Sequence, residues 1–433
     1  MQRSKDATVT AADADAFGLT DAQRQPCYDP YDAWTSPWIG RMKVAATRGS
    51  RGGYLVSGLV AVADALAPDL LRALTDVKPT RYAHTEALRL LAGDPKLTPA
   101  EFLDLAERTA LTVNDGIGWG YPFDWYTRNA PNGVYRANSV PFITVTPYVL
   151  EALLAVATTA PPPLAERARR LFERSWGFLE ALRPMADSDD QLALTYAPVE
   201  EPLKIINANA YAAFAYALHA VHGPTIHQAA ARAKAIRLAR WVVAQQEADG
   251  AWWYLAETRF NNFMDCFHSC FTVKNLLKAR RLLGDDLAFV DGAVARGRAF
   301  IQERFYDRQA GLCRRFLVKG TKDPLFKWDI YDQAEYLGLL IDAGQLTDAQ
   351  AFRTTVRARF ARGHDWYCRI DLFARRWGRN YLRWGIMPFL YQCARLEQAL
   401  QAARLQSSCA AAAPHRTPSP VEDQTVTQGE HTA

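Results

Sequence analysis

No stretch of this 433-residue chain is long and apolar enough to span a bilayer. The longest apolar run, Tyr54 to Ala67, is short and carries Asp64. The opening residues, Met1-Gln-Arg-Ser-Lys-Asp6, are polar and lack the apolar core of a secretion signal. Cysteine is sparse: seven residues in the whole chain exclude a disulfide framework. Cys266 and Cys270 stand one helical turn apart, but no second pair has ligand spacing, which argues against a zinc site shared with His268. His219, His222 and His227 flank a turn at Gly223-Pro224 that separates the third from the first two, so no metal triad is expected there either. A charge excess of one sign is also missing. The 51 basic and 46 acidic residues leave +5, scattered along Arg-rich stretches such as Ala229 to Arg240, which excludes a nucleic-acid stripe. Runs of strict alternation are too few for a strand set. The expectation is a cytoplasmic protein without metal, cofactor, nucleic-acid partner or membrane span; the oligomeric state is not readable.

What the chain does have is apolar mass, with 49% hydrophobic and 12% aromatic residues. Its periodicity is helical. Residues 1–25 are polar and read as a loose arm, and 407–433, rich in Ala, Pro, Ser, Thr and Gln, as a disordered tail. Between them, 26–406 reads as one domain. Tyr28 to Trp38 is dense in aromatics and proline and should pack on the body. Helices are predicted from Tyr54 to Leu74, Thr85 to Leu91, and Thr98 to Thr112, the last opened by a capping box with proline at its first position. Others start at Pro147, Leu164, Asn207, Ile226, Asp265, Val290, Asp329, Asp348 and Asn380. The helices that follow aromatic or polar loops recur every 50–65 residues or so, one hairpin per step. About twelve helices in six hairpins close most simply as an all-α (α/α)6 toroid. Alternate helices then run parallel, so the loops before the inner helices share one face.

Two of those loops stand out. Gly116 to Arg128 packs Trp119, Tyr121, Phe123 and Trp125 around Asp124, with glycines that allow tight turns. Phe263 to Leu277 follows Trp252-Trp253-Tyr254 and opens a helix on Asp265, with His268 three residues on and on the same face. An acid and an imidazole at a helix mouth are parts for general acid/base chemistry. The plainer reading is an N-cap and a core histidine. Asn207 and Asn209 lie two apart, so one caps while the other points inward.

The stretches Tyr28-Asp-Pro-Tyr-Asp32, Gly118 to Trp125, Thr195-Tyr-Ala-Pro198, Asn207-Ala-Asn209, Asp249-Gly-Ala-Trp252, Asp265-Cys-Phe-His-Ser269, Asp329-Ile with Gln333, and Arg383-Trp-Gly385 carry a resemblance. From about Tyr28 to Leu396 the chain resembles a bacterial family of six-hairpin toroids often encoded near capsule, O-antigen and other surface-polysaccharide genes. That family is distantly like glycosidases, uronyl epimerases and terpenoid cyclases. Leu255 and Tyr331-Asp332 depart from its pattern, which bears on the substrate more than on the fold.

The resemblance and the residues together point to a carbohydrate-active enzyme of hydrolase, lyase or epimerase type. The predicted catalytic groups are Asp124, Asp265, His268 and Asp329. Trp119, Tyr121, Trp125, Arg128, Asn207, Asn209, Trp253, Tyr254, Gln333, Arg383 and Trp384 are the predicted substrate contacts, the rings stacking on sugar and Arg383 holding a uronate or phosphate. Two alternatives remain. Asp187-Ser-Asp189-Asp190 reads as the D-x-D-D acid motif of a terpenoid cyclase. The toroid could also bind a glycan or a protein without turning it over.

Overall fold

The computed structural model describes residues 18–47, 49–258, 262–318 and 326–412. Fourteen α-helices run through them. Six form a closed inner ring: α4 (Ala83–Leu91), α6 (Thr146–Thr159), α8 (Ile206–His222), α10 (Cys266–Leu283), α12 (Ile330–Asp342) and α14 (Met387–Ala412). Each packs on the next, and α14 returns to α4. Outside them lie α5 (Pro99–Thr109), α7 (Pro162–Ala181), α9 (Thr225–Ala244), α11 (Val290–Arg304) and α13 (Leu346–Phe360), each against the inner helix that precedes it. The architecture is the expected (α/α)6 toroid, its sixth inner helix, α14, being the one that no outer helix follows among the described residues.

Sequence explains which helix goes where. From Ile206 to Ala220, α8 carries no charged side chain and every residue is buried, as befits a helix apolar on all sides. Its partner α9 keeps an Ala-Leu-Trp-Val face inward and turns Arg232, Arg237 and Arg240 outward to Asp286, Asp187 and Asp190. The Thr98–Glu101 capping box opens α5 as predicted.

The helix expected from Tyr54 to Leu74 is broken in two, α2 (Arg51–Leu66) and α3 (Pro68–Thr75), because Pro68 cannot continue α2. With α1 (Pro37–Thr47), these form a small lobe outside the ring, with its own core of Ala33, Trp34, Ile39, Val60 and Leu71. The start expected at Asn380 falls later, since Asn380 is left-handed and a wide turn over Leu382–Ile386 precedes α14. There Gly385 sits at φ 81°, so close that a Cβ would lie 2.5 Å from the Tyr331 backbone nitrogen.

Strands, which the sequence did not announce, occur as short antiparallel pairs in the loops and one four-stranded patch built around Asp365–Asp371. Residues 18–25, assigned to the arm by composition, lie on the body. Leu19 is fully buried, and buried Arg24 donates to both oxygens of Asp94 at 3.1 and 3.2 Å. Residues 1–17 and 413–433 lie outside the described residues; 407–412 continue α14.

Candidate active site

The N-terminal turns of the inner helices meet around a cavity of about 370 Å³. His84 from α4, Asn207 and Tyr211 from α8, Asp265, Phe267, His268 and Phe271 at the head of α10, and Tyr331 from α12 all line it. Thr144 reaches it just before α6, and Arg383 and Trp384 just before α14. The shared face inferred from the hairpin step therefore exists. A larger groove between α13 and α14 holds no imidazole.

At the cavity wall Asp265 is an extended residue capping α10, its carboxylate accepting from the His268 amide at 3.2 Å. The same carboxylate holds His268 Nδ1 at 2.9 and 2.8 Å. Asp265 is buried, whereas His268 is partly open to the cavity. Among the described residues Nε2 of His268 has no hydrogen-bond partner, so it is left for a ligand. The ring is packed by Phe267 at 4.0 Å and Tyr254 at 4.6 Å, which fixes its plane. The Asp–His pair is thus oriented, backed by a buried anion and open on its reactive side.

The rest of the wall is aromatic. Tyr31, Tyr121, Tyr126, Tyr196, Tyr211, Tyr254 and Tyr331 supply phenols, and Phe123, Phe263, Phe267, Phe271, Phe316, Trp125 and Trp384 supply rings. Burial pushes the Tyr196, Tyr211, Tyr254 and Tyr331 phenols above their ordinary range, so they are neutral donors to ligand oxygen. Tyr211 continues into a polar chain below the floor: its hydroxyl meets that of Tyr148 at 2.6 Å, and Lys274 Nζ joins Tyr148 at 2.9 Å and Glu335 at 2.7 Å. Three buried polar atoms of cavity residues lack partners among the described residues, Asn207 Oδ1, His84 Nε2 and Arg315 Nε. Burial, reinforced by Arg383 and Lys274, keeps His84 neutral well below the usual imidazole range.

Both guanidiniums of the wall are already engaged. Arg383 donates to the two oxygens of Asp29 at 2.5 and 2.8 Å, and Arg315 pairs with Asp329. Arg383 was expected to hold a substrate anion; instead its fork closes on Asp29, in the Tyr28–Asp32 segment.

Of the predicted residues, Asp265, His268, Tyr121, Trp125, Asn207, Tyr254, Arg383 and Trp384 converge on the cavity. The others do not line it. Asp124 is a clip for its own loop, accepting from the Ala137 amide at 2.9 Å and Arg136 at 2.6 Å. Asp329 caps α12 and is saturated by the Tyr331 amide at 2.9 Å, Trp384 Nε1 at 2.9 Å, Arg369 at 3.1 Å and Arg315. Trp119 is wholly buried, with its indole N–H on the Ala106 carbonyl at 2.8 Å. Asn209 pins the Leu194 backbone, accepting from its amide at 2.7 Å, and Gln333 pins Cys313, accepting from its amide at 2.8 Å. Arg128 is exposed and Trp253 packs against the core edge. The D-x-D-D motif is on the outer surface, where Asp187 pairs with Arg237 and Asp190 with Arg240. Asp189 stands there beside them, exposed, so none of the three can protonate a ligand in the cavity. Sequence reasoning missed His84, Arg315 and most of the tyrosines. His84 carried no signal beyond its place at the start of an inner helix.

Among the described residues no group of His, Cys, Asp and Glu is placed to hold a metal, and no helix is long and apolar enough to cross a membrane.

No protein-family model matches the chain, and no curated protein resembles it in sequence. Solved structures do resemble it in shape. Cellobiose 2-epimerase from Bacillus thermoamylovorans B4167 superposes with a TM-score of 0.53 at 11% identity, over 75% of this chain and 90% of that one. A D-mannose isomerase gives 0.52 at 12% identity, over 74% and 87%. Cellobiose 2-epimerase from Spirochaeta thermophila DSM 6192 gives 0.50 at 15%, over 75% and 86%. At such identities the likeness is one of fold.

Proposed function

We propose that the protein is a carbohydrate-active enzyme of epimerase or isomerase type, moving a proton at the carbon beside a sugar carbonyl. The observation that carries this reading is the Asp265–His268 pair: an imidazole at the cavity wall held by a carboxylate through Nδ1, with Nε2 unpartnered among the described residues. Nε2 would take the proton, and Asp265 would keep the tautomer and stabilise the imidazolium that forms. Neutral phenols such as Tyr254 and Tyr211 would donate to the carbonyl oxygen as negative charge develops on it.

Hydrolysis fits less well. Glycoside cleavage uses two carboxyl groups some 5–10 Å apart, and Asp265 is the one carboxylate among the described residues of the cavity wall. A neutral sugar fits better than a uronate, because Arg383 and Arg315 are both spoken for by buried carboxylates. Asn207 and His84, each with a polar atom to satisfy, suit ring hydroxyls. A toroid that only binds would have little use for a buried carboxylate backing an imidazole. The solved epimerases and isomerase of like fold point the same way. Within surface-polysaccharide metabolism, the setting that the sequence resemblance implies, such a step would supply an altered sugar unit.

The test is solvent exchange. The full chain is incubated with cellobiose, D-mannose and a panel of other aldoses in D2O and followed by proton NMR. Deuterium at C2 of the epimer, or at C1 of the ketose, is the expected result, and His268→Gln should abolish it. Cleavage of an oligosaccharide without exchange would replace this reading with a hydrolase.

A further inference from the structure

The lobe outside the ring exposes more apolar surface than its own fold explains. Leu55, Leu59, Val62 and Leu66 recur at spacings of four, three and four along α2, so they form one stripe, and Leu70 and Leu74 extend the exposed apolar surface onto α3. Their exposures run from 48% for Val62 to 74% for Leu74. From Gly52 to Leu66 the exposed residues of α2 carry no charge, and Asp64, the acid of that helix, is tied to Arg72. At about 100 Å² apiece, the six side chains expose on the order of 600 Å², the upper end for a monomer without a partner.

The ends of this surface are of another kind. Arg51 heads the stripe, four residues before Leu55. On α1 the exposed Trp38 has Arg41 three residues on, along the same face, and Lys43 lies over Trp34 at 4.2 Å. Tyr54 is exposed beside Leu55. Aromatic residues and cations bordering an uncharged helix face are what a helix lying in a membrane interface presents.

We infer that α1–α3 is a docking element for an anionic lipid surface, with α2 and α3 laid into the headgroup boundary. Charge decides between this and a second copy of the chain. A two-fold pairing would offer the basic residues of α1 and α2 little beyond the exposed Asp69 of α3, since Asp64 is tied to Arg72, whereas anionic headgroups would neutralise both Arg41 and Arg51. The element is also fixed to the cavity wall: a Cβ on Gly40 of α1 would fall 1.9 Å from the hydroxyl of Tyr126, which lines the cavity. Docking would therefore hold the cavity at a membrane surface, whatever reaction occurs in it.

Co-sedimentation of the full chain with vesicles tests this. Pelleting should be about tenfold or more greater with an equal mixture of phosphatidylcholine and phosphatidylglycerol than with phosphatidylcholine alone. Leu59→Glu with Leu66→Glu should leave the protein in the supernatant, with its circular-dichroism melt unchanged. Leu55→Ser with Leu59→Ser, which adds no charge, should also weaken pelleting, and Arg41→Glu with Arg51→Glu should remove the preference for anionic vesicles. Absence of pelleting with either vesicle would overturn the inference. So would a dimer in light scattering that the Leu59→Glu, Leu66→Glu pair dissolves, since the stripe would then belong to a second copy.

Discussion

Two segments of this chain look alike in sequence and differ in what their acids do. Gly116 to Arg128 and Trp252 to Phe271 both surround an aspartate with large rings. In the first, the Asp124 carboxylate ties the segment to the turn and strand that follow it, through the Ala137 amide and Arg136, and takes the Tyr126 hydroxyl at 3.3 Å. In the second, Asp265 spends itself on His268, and the far nitrogen of that ring is left to the cavity. An acid among aromatics is a common way to tie down a loop. An acid whose partner still has an open valence facing a cavity is rarer, and only the fold reveals it.

The sharpest way to break the comparison is to remove the charge from each acid. Asp265→Asn should lower turnover about 10²–10⁴-fold, the usual contribution of an oriented acid/base group, measured as loss of solvent exchange at C2 or C1. The Asn keeps size and shape, so the melting temperature should hold. Equal activity in the variant would return Asp265 to the role of a cap.

Within the first segment the large effect should fall on stability. Trp119 is fully buried, and its indole N–H is satisfied by Ala106. Trp119→Ala should lose about 3–5 kcal/mol in denaturant unfolding, the range for a large aromatic removed from a core, while the folded remainder keeps its specific activity. A selective loss of substrate affinity instead would restore Trp119 as a stacking residue.

Asp124→Ala should lose less, about 1–3 kcal/mol for a partly buried amide left without its acceptor. The same variant should leave turnover per folded molecule unchanged. If turnover falls with stability intact, Asp124 acts at the site after all and the contrast between the two segments disappears.

How much of this was legible beforehand follows from the range of the forces involved. Helix starts were readable where the signal is local, as at Thr98, whose hydroxyl accepts from the Glu101 amide at 3.2 Å, and at Asp265, which caps α10. The common face followed from the hairpin step alone. What failed to show depends on distant partners. Asp29 and Arg383 are 354 residues apart in sequence, so the closing of that fork was invisible. The glycines of the first segment were read as turn formers. None of Gly116, Gly118 or Gly120 is left-handed, and they serve close approach instead, Gly116 against Gly177 and Phe178 of α7. The Asp365–Asp371 strand does alternate, with Trp366, Cys368 and Ile370 buried, but Tyr367 on the other face hides the period. His84 offered nothing to read, because a lone histidine at a helix start is most often structural.

The smallest effect separates the two duties of Asp265. It caps α10 through the His268 amide at 3.2 Å and holds the imidazole of the same residue. Asn and Asp cap a helix about equally well, whereas alanine leaves the first-turn amide without an acceptor, a difference of about 1 kcal/mol. Asp265→Asn and Asp265→Ala should therefore be equally inactive but unequally stable, the alanine variant unfolding at lower denaturant by that amount. The exchange assay reads the charge and the unfolding midpoint reads the cap. If the asparagine variant were as unstable as the alanine one, the negative charge itself would be holding the buried wall together. The inactivity of Asp265→Asn would then report damage to the site rather than loss of a proton carrier. If both were as stable as the parent, the cap would be supplied elsewhere, and Asp265 would be buried beside His268 for chemistry alone.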